Sequence, residues 1–247
     1  MTSYHGGKQR SGKKIANIIT QIQEDHIGYC EPFCGMLGVY RHVTTILGPD
    51  IQYKAGDINK SVIMMWNDAK SGWIPPSEST ESHYNICRTT SEPSSEKGFV
   101  GHACSFGGQY FMGYKDKYLK SNTTEEKKKR LVVQSNRVCK IAEECSNVQF
   151  TNGDYDQFSN LKSFLIYCDP PYEGIKSRYS DEYGHKISFD HSKFWEWCRM
   201  MGKDNTVLVS GFSAPEDFTT IWSLEKARTA HGSHKSTGLE GVYHYIG

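Results

Sequence analysis

Apolar residues gather in short runs along this chain, and most of the runs stop at an acid. HIGYC precedes Glu31, IQYKAG precedes Asp57, VQFTNG precedes Asp154 and FLIYC precedes Asp169, while TVLVS precedes Gly211. Short apolar runs of this kind suit strands covered on both faces. Helical patterns lie between some of them. Ser11 is placed to cap a helix through about Glu24, with Ile15, Ile18, Ile19 and Ile22 on one stripe. Asn59 is placed to cap a short helix carrying Val62, Ile63 and Met65. Thr123 or Thr124, followed by Glu125 and Glu126, opens a long helix with Leu131, Val138, Ile141 and Cys145 inward. Asp190 is placed to cap DHSKFWEWCRMM. Strands alternating with helices predict an α/β fold with a mostly parallel sheet and helices on both faces.

Residues 70–122 break this rhythm. PPSESTES, SEPSSEKG and SFGGQYFMGY are rich in Ser, Pro and Gly, and their apolar periodicity is poor. The segment reads as a smaller inserted lobe with long loops, which leaves 1–69 and 123–247 as the main domain. The aromatics Phe106, Tyr110, Phe111 and Tyr114 argue against full disorder of the lobe.

Composition narrows the function. The 247 residues suit one α/β domain with an insertion, and 37% hydrophobic residues allow a sizeable core. The formal net charge is +1, so any nucleic-acid surface must be a local basic patch. No long apolar segment predicts a membrane span, and the polar start MTSYHGGKQRSGKK does not read as a signal peptide. The 8 cysteines form no CxxC pair and read as reduced thiols, so an intracellular, reducing location is expected.

Chemistry is expected at the strand ends. Parallel sheets bind ligands at the carboxyl ends of their strands, where strand order reverses. Glu31, Asp57, Asp154 and Asp169 would then line one crevice. After FLIYC comes DPPY. Pro170 and Pro171 fix φ near −65° and push the residue before each toward extended geometry. The outcome is a stiff turn that presents the Asp169 carboxylate and the Pro170 carbonyl as two acceptors, a match for an exocyclic NH₂. Tyr172 offers a ring on which a base could stack, worth about 1–3 kcal/mol.

With these motifs in order, the chain resembles the Dam-type adenine-specific DNA methyltransferases. YHGGKQR resembles their first block, EPFCG the glycine loop, GDIN the ribose-binding acid, FTNGDY the block at the cofactor adenine, DPPY the catalytic block, and SHKSTGLEGVYHY the closing block. The glycine loop departs in one respect, with Leu37 where relatives often carry glycine. The resemblance implies a Rossmann-like fold, S-adenosylmethionine as cofactor with S-adenosylhomocysteine as product, and double-stranded DNA as substrate. It implies catalytic roles for Asp169, Pro170 and Tyr172. Cofactor contacts are implied for Tyr4, Lys8, Glu31, Phe33, Gly35, Asp57, Asp154, Tyr155 and Asp169. The lobe would recognise DNA, with Gln109, Tyr110, Lys115 and Lys117 as contacts, joined by Arg178 from the loop after DPPY. The chemistry needs no metal, and a monomer or weak dimer is expected. A restriction endonuclease partner is compatible with the resemblance. The loop EGIKSRYSDEYGHKIS is expected to be mobile without DNA. Cytosine N4, RNA or a protein amide as acceptor, or a non-catalytic DNA-binding role, stay open at this point.

Overall fold

Every strand expected from an apolar run is present, and two more close the sheet. The structure, a computed structural model, describes residues 7–22, 25–117, 123–173, 188–228 and 236–247. The strands are β1 (Gly28–Glu31), β2 (Gln52–Asp57), β3 (Gln149–Asn152), β4 (Phe164–Cys168), β5 (Thr206–Gly211), β6 (Phe218–Arg228) and β7 (Ser236–Tyr245). They form one sheet in the order β3-β2-β1-β4-β5-β7-β6. The first five are parallel, and β7 inserts antiparallel between β5 and β6. This is the expected Rossmann-like α/β class. Strand order reverses between β1 and β4, so Glu31 and Asp169 emerge side by side at the switch point.

The unbroken apolar run of β4 follows from its two-faced burial. Leu165 and Tyr167 join the core on one face of the sheet, while Phe164, Ile166 and Cys168 join the core on the other. Alternate residues of a strand point to opposite faces, so a strand covered on both sides must be apolar throughout. Each such side chain contributes about 1.5–3 kcal/mol on burial.

Three of the expected helix caps are made. Asn59 accepts from the Val62 N–H at the start of α3 (Lys60–Lys70). Thr123 and Glu126 form a reciprocal capping box on α6 (Thr124–Glu144). Asp190 accepts from the Lys193 N–H at the start of α7 (His191–Met201). The first helix departs from expectation. It is α1 (Gly12–Ile19), Ser11 makes no side-chain cap, and the helix stops short of Glu24. A further helix, α2 (Tyr40–Leu47), follows the glycine loop.

The expectation of long loops over 70–122 is corrected. Thr80 caps α4 (Glu81–Thr89), and Ser94 caps α5 (Ser95–Ala103). All nine residues of α5 except Glu96 are buried, so no polar face marks the helix in the sequence. Gly98 is the reason it can sit so close to α3: a Cβ there would lie 2.2 Å from the Ser61 carbonyl oxygen. Tyr84, Cys87, Phe99 and Val100 join the same core as β1 and β2. Phe106–Gly108 and Lys115–Lys117 form short 3-10 turns. No helix of the described residues is long and apolar enough to cross a membrane.

Candidate active site

The strand-end acids do converge. Glu31, Asp57, Asp154 and Asp169 line one cavity of about 270 Å³ at the carboxyl ends of the parallel strands. Lys8, Phe33, Gly35 and Tyr155 line it too. Tyr4 and Arg178 lie outside the described residues, as does most of the loop after Tyr172.

The glycine loop after β1 is pinned by Asp57. Asp57 Oδ2 accepts the Gly35 N–H at 2.9 Å, and Oδ1 accepts the Asn59 N–H at 2.9 Å. Burial pushes the Asp57 carboxyl up, and these two N–H donors act against that. The Gly35 carbonyl accepts the Trp66 indole N–H at 2.8 Å. Gly35 has φ 44°, and Leu37 has φ 53°. Leu37 thus keeps the left-handed backbone that glycine would adopt freely, with its side chain wholly buried.

An aromatic floor closes the other end. Phe33 and Tyr155 stack at 5.7 Å between ring centroids. Phe194 meets both edge-on, at 5.7 Å and 5.4 Å. Phe189 lies 5.8 Å from Phe33 and lines the cavity. Burial raises the Tyr155 phenol to about 12, so it stays protonated. Asp154 caps the short turn Tyr155–Phe158 by accepting the Tyr155 N–H at 2.7 Å.

At the turn after β4, four side chains form one network. Asp169 Oδ1 accepts from the Lys8 ammonium and lies 3.2 Å from the Tyr172 hydroxyl oxygen, whose one hydrogen Asp169 and Glu240 share. Glu240, from β7, accepts the Tyr172 hydroxyl at 2.7 Å and lies 3.6 Å from Lys8 Nζ. The Lys8 ammonium also sits 5.1 Å from the Tyr172 ring centroid. Phe212 packs edge-on against that ring at 5.1 Å. Burial, then Asp169 and Glu240, push the Tyr172 phenol well up, so it acts as a hydrogen-bond donor. Pro171 lines the cavity, whereas Pro170 is buried beside it. Burial also pushes the Glu31 carboxyl well up. The Tyr29 hydroxyl, donating at 2.6 Å, and Lys8 oppose the shift, and Asp169 adds to it.

Four of the residues expected to contact DNA lie within the described residues. Gln109 and Tyr110 line the cavity, and Tyr110 is 7% exposed. Gly101 lets Tyr110 approach, since a Cβ there would lie 2.3 Å from its ring. The Lys115 ammonium turns inward to the Ala103 carbonyl at the end of α5, and burial lowers its pKa. Lys117 is exposed, 3.5 Å from Glu81. Glu240, His102 and Phe189 were not singled out in the sequence. Nothing in the sequence marks Glu240: in β7 the acid is buried and its neighbour Leu239 is 53% exposed, the reverse of ordinary strand patterning.

The residues fit S-adenosylmethionine. Its ammonium and sulfonium suit a cavity lined by carboxylates, its ribose suits Asp57, and its adenine suits the apolar rings of Phe33 and Tyr155. Lys8 lines the same cavity, with its ammonium bound to Asp169 and 3.6 Å from Glu240.

Comparison with solved structures gives weak overall likenesses. TrmN from Thermus thermophilus matches with a TM-score of 0.40 at 11% identity, over 95% of this chain and 48% of that one. The chain therefore spans about half of TrmN's length. The rRNA methyltransferase aviRa from Streptomyces viridochromogenes matches with a TM-score of 0.39 at 8% identity, over 94% of this chain and 84% of that one. The comparison with curated proteins gives no match. Residues 110–225, which hold FTNGDY, DPPY and VLVSGF, match the family of D12 class N6 adenine-specific DNA methyltransferases, and the resemblance read from the sequence is borne out.

Proposed function

We propose that this chain transfers a methyl group from S-adenosylmethionine to the exocyclic N6 of an adenine in double-stranded DNA. The family match and the fold support methyl transfer from S-adenosylmethionine. The observation that carries the reading is the convergence of the four strand-end carboxylates on one cavity beside the Lys8–Asp169–Tyr172–Glu240 network.

Glu31, Asp57, Asp154 and the aromatic floor bind the cofactor, which supplies an electrophilic methyl group. Asp57 is held at both oxygens by backbone N–H groups, and its remaining lone pairs accept the ribose hydroxyls. The adenine N6 is a poor nucleophile because its lone pair is delocalised into the ring. Asp169 and the Pro170 carbonyl accept its two hydrogens and stabilise the positive charge that develops on nitrogen. Lys8 and Tyr172 hold Asp169 in that position, a task of orientation. The target base leaves the duplex at a cost of a few kcal/mol. Residues 70–122 then serve as the target-recognition lobe, with Lys117 and Arg178 on phosphates. Gln109 and Tyr110 act from the cavity wall.

The test is to incubate the full chain with labelled cofactor and unmethylated duplex DNA, then identify the modified base. N6-methyladenine is expected, and Asp169→Ala is expected to lose it while still binding cofactor by calorimetry. Label in N4-methylcytosine, RNA or protein, or an active Asp169→Ala, overturns the reading. Absence of cofactor binding by the unaltered chain favours a non-catalytic DNA-binding role.

A further inference from the structure

Away from the cavity, helices α4 and α5 bring together three side chains of metal-binding chemistry. His83 and Cys87 are four residues apart on α4, so they share one face of the helix. Glu96 stands in the first turn of α5. One donor atom from each lies within 4.8 Å of the other two. His83 Nε2 and Glu96 Oε1 are 3.3 Å apart, while the Cys87 side chain is buried beneath them. We propose that His83, Cys87 and Glu96 form a zinc site that ties α4 to α5.

The donor set is one imidazole, one thiolate and one carboxylate. A borderline-soft divalent ion accepts such a mixture in tetrahedral geometry, with water as the fourth ligand. The His83–Glu96 separation of 3.3 Å suits two ligands of one ion, and binding would draw in the remaining donor atom, which lies within 4.8 Å of both. The buried thiol lies inward and the half-exposed Glu96 outward, which gives an ion an entry side. Without an ion, the Cys87 thiol is held up at about 11, by burial and then by Glu96. Lys97, which also faces Cys87, directs its ammonium to the Thr90 carbonyl at 2.5 Å. The site braces α5, whose His102 lines the cavity, so it would stiffen that wall without touching ligand.

The full chain, stripped with chelator and kept reduced, is titrated with cobalt(II) and then zinc(II). The readout is spectroscopic and does not depend on methyl transfer, so its failure is distinct from failure of the proposed function. One equivalent of cobalt is expected to give a thiolate-to-metal charge-transfer band, which zinc abolishes. Cys87→Ser should remove the band, while Cys139→Ser, at a half-exposed cysteine elsewhere, should keep it. His83→Ala and Glu96→Gln should each weaken binding by at least about 10- to 100-fold. Zinc should raise the Tm of the unaltered chain and leave that of His83→Ala unchanged. No stoichiometric binding, or a band that survives Cys87→Ser, overturns the site.

Discussion

The Tyr172 hydroxyl donates to Glu240 Oε1 at 2.7 Å, which ties the turn after β4 to β7 across β5. Glu240 is 1% exposed and also faces the Lys8 ammonium. If the DPPY turn is catalytic as proposed, a buried acid that faces both partners of Asp169 would help to position it. Glu240→Gln keeps an oxygen for Tyr172 but removes the negative charge beside Lys8. The fold should persist, and methyl transfer should drop about 100-fold through misplacement of Asp169. Glu240→Ala should in addition cost about 1–3 kcal/mol of stability, since Tyr172 loses a buried acceptor. Urea unfolding and single-turnover methylation measure the two effects, and a wild-type rate for Glu240→Gln removes Glu240 from the positioning role.

Leu37 sits at φ 53° with no exposed side-chain surface. Left-handed backbone costs a non-glycine residue about 1–3 kcal/mol, and the buried side chain offsets that cost. Leu37→Ala loses the packing and keeps the strain, for about 2–5 kcal/mol. Leu37→Gly loses the same packing but relieves the strain. Glycine should therefore be at least as stable as alanine here, the inverse of their ordinary order. Chemical denaturation of the two variants tests this, and a less stable glycine variant would mean the loop carries no strain.

How much was legible depended on whether a segment has one neighbour or two. Runs such as FLIYC and TVLVS face apolar layers on both sides, so the strands could be read from composition alone. The caps at Asn59, Thr123 and Asp190 were legible because a side chain bonds its own backbone three residues on. α5 was hidden because burial on nearly all sides erases the 3.6-residue period. β6 was hidden because FTTIWSLEKAR is an edge strand with a single strand neighbour and a mixed pattern. Among site residues, acids that end strands were legible. Lys8 was found, but its partner was not, because the ion pair with Asp169 spans 161 positions of chain and no local pattern records it. That Gln109 and Tyr110 line the cavity and that Lys115 turns inward was not legible, because a Gly-rich aromatic stretch looks the same whether it faces solvent or folds back on a cavity.

Gly98→Ala separates propensity from packing. In an exposed helix, alanine is favoured over glycine by about 1 kcal/mol. On α5 the new Cβ would lie 2.2 Å from the Ser61 carbonyl oxygen and 2.7 Å from its carbon, both backbone atoms of α3. Neither helix can yield without moving the core they share, so the variant should lose about 1–3 kcal/mol by overpacking. The midpoint of denaturant unfolding reads this directly. A stabilised variant would mean that α5 does not pack against α3 at this position.

His102 gives the stability a defined pH dependence. The side chain is 6% exposed, lines the cavity from α5, and places Nδ1 3.1 Å from the Gly108 carbonyl oxygen. Burial lowers its pKa from 6.5 to about 4, against the Gly108 contact, which acts the other way. The folded pKa lies below the unfolded one, so the unfolded chain binds more protons between the two values. The stabilisation is then fully present above about pH 6.5 and is lost as pH falls toward 4. The difference corresponds to about 3 kcal/mol at most, from about 1.4 kcal/mol per unit. Glu31 and Asp57 shift upward and act in the opposite sense on acidification, so the total slope is a sum. The His102 share is isolated by His102→Gln, which keeps an N–H donor for Gly108 but does not titrate. Unfolding free energies at pH 7 and pH 4.5 should differ less in His102→Gln than in the unaltered chain. Equal slopes would mean that the His102 pKa is the same in the folded and unfolded chains.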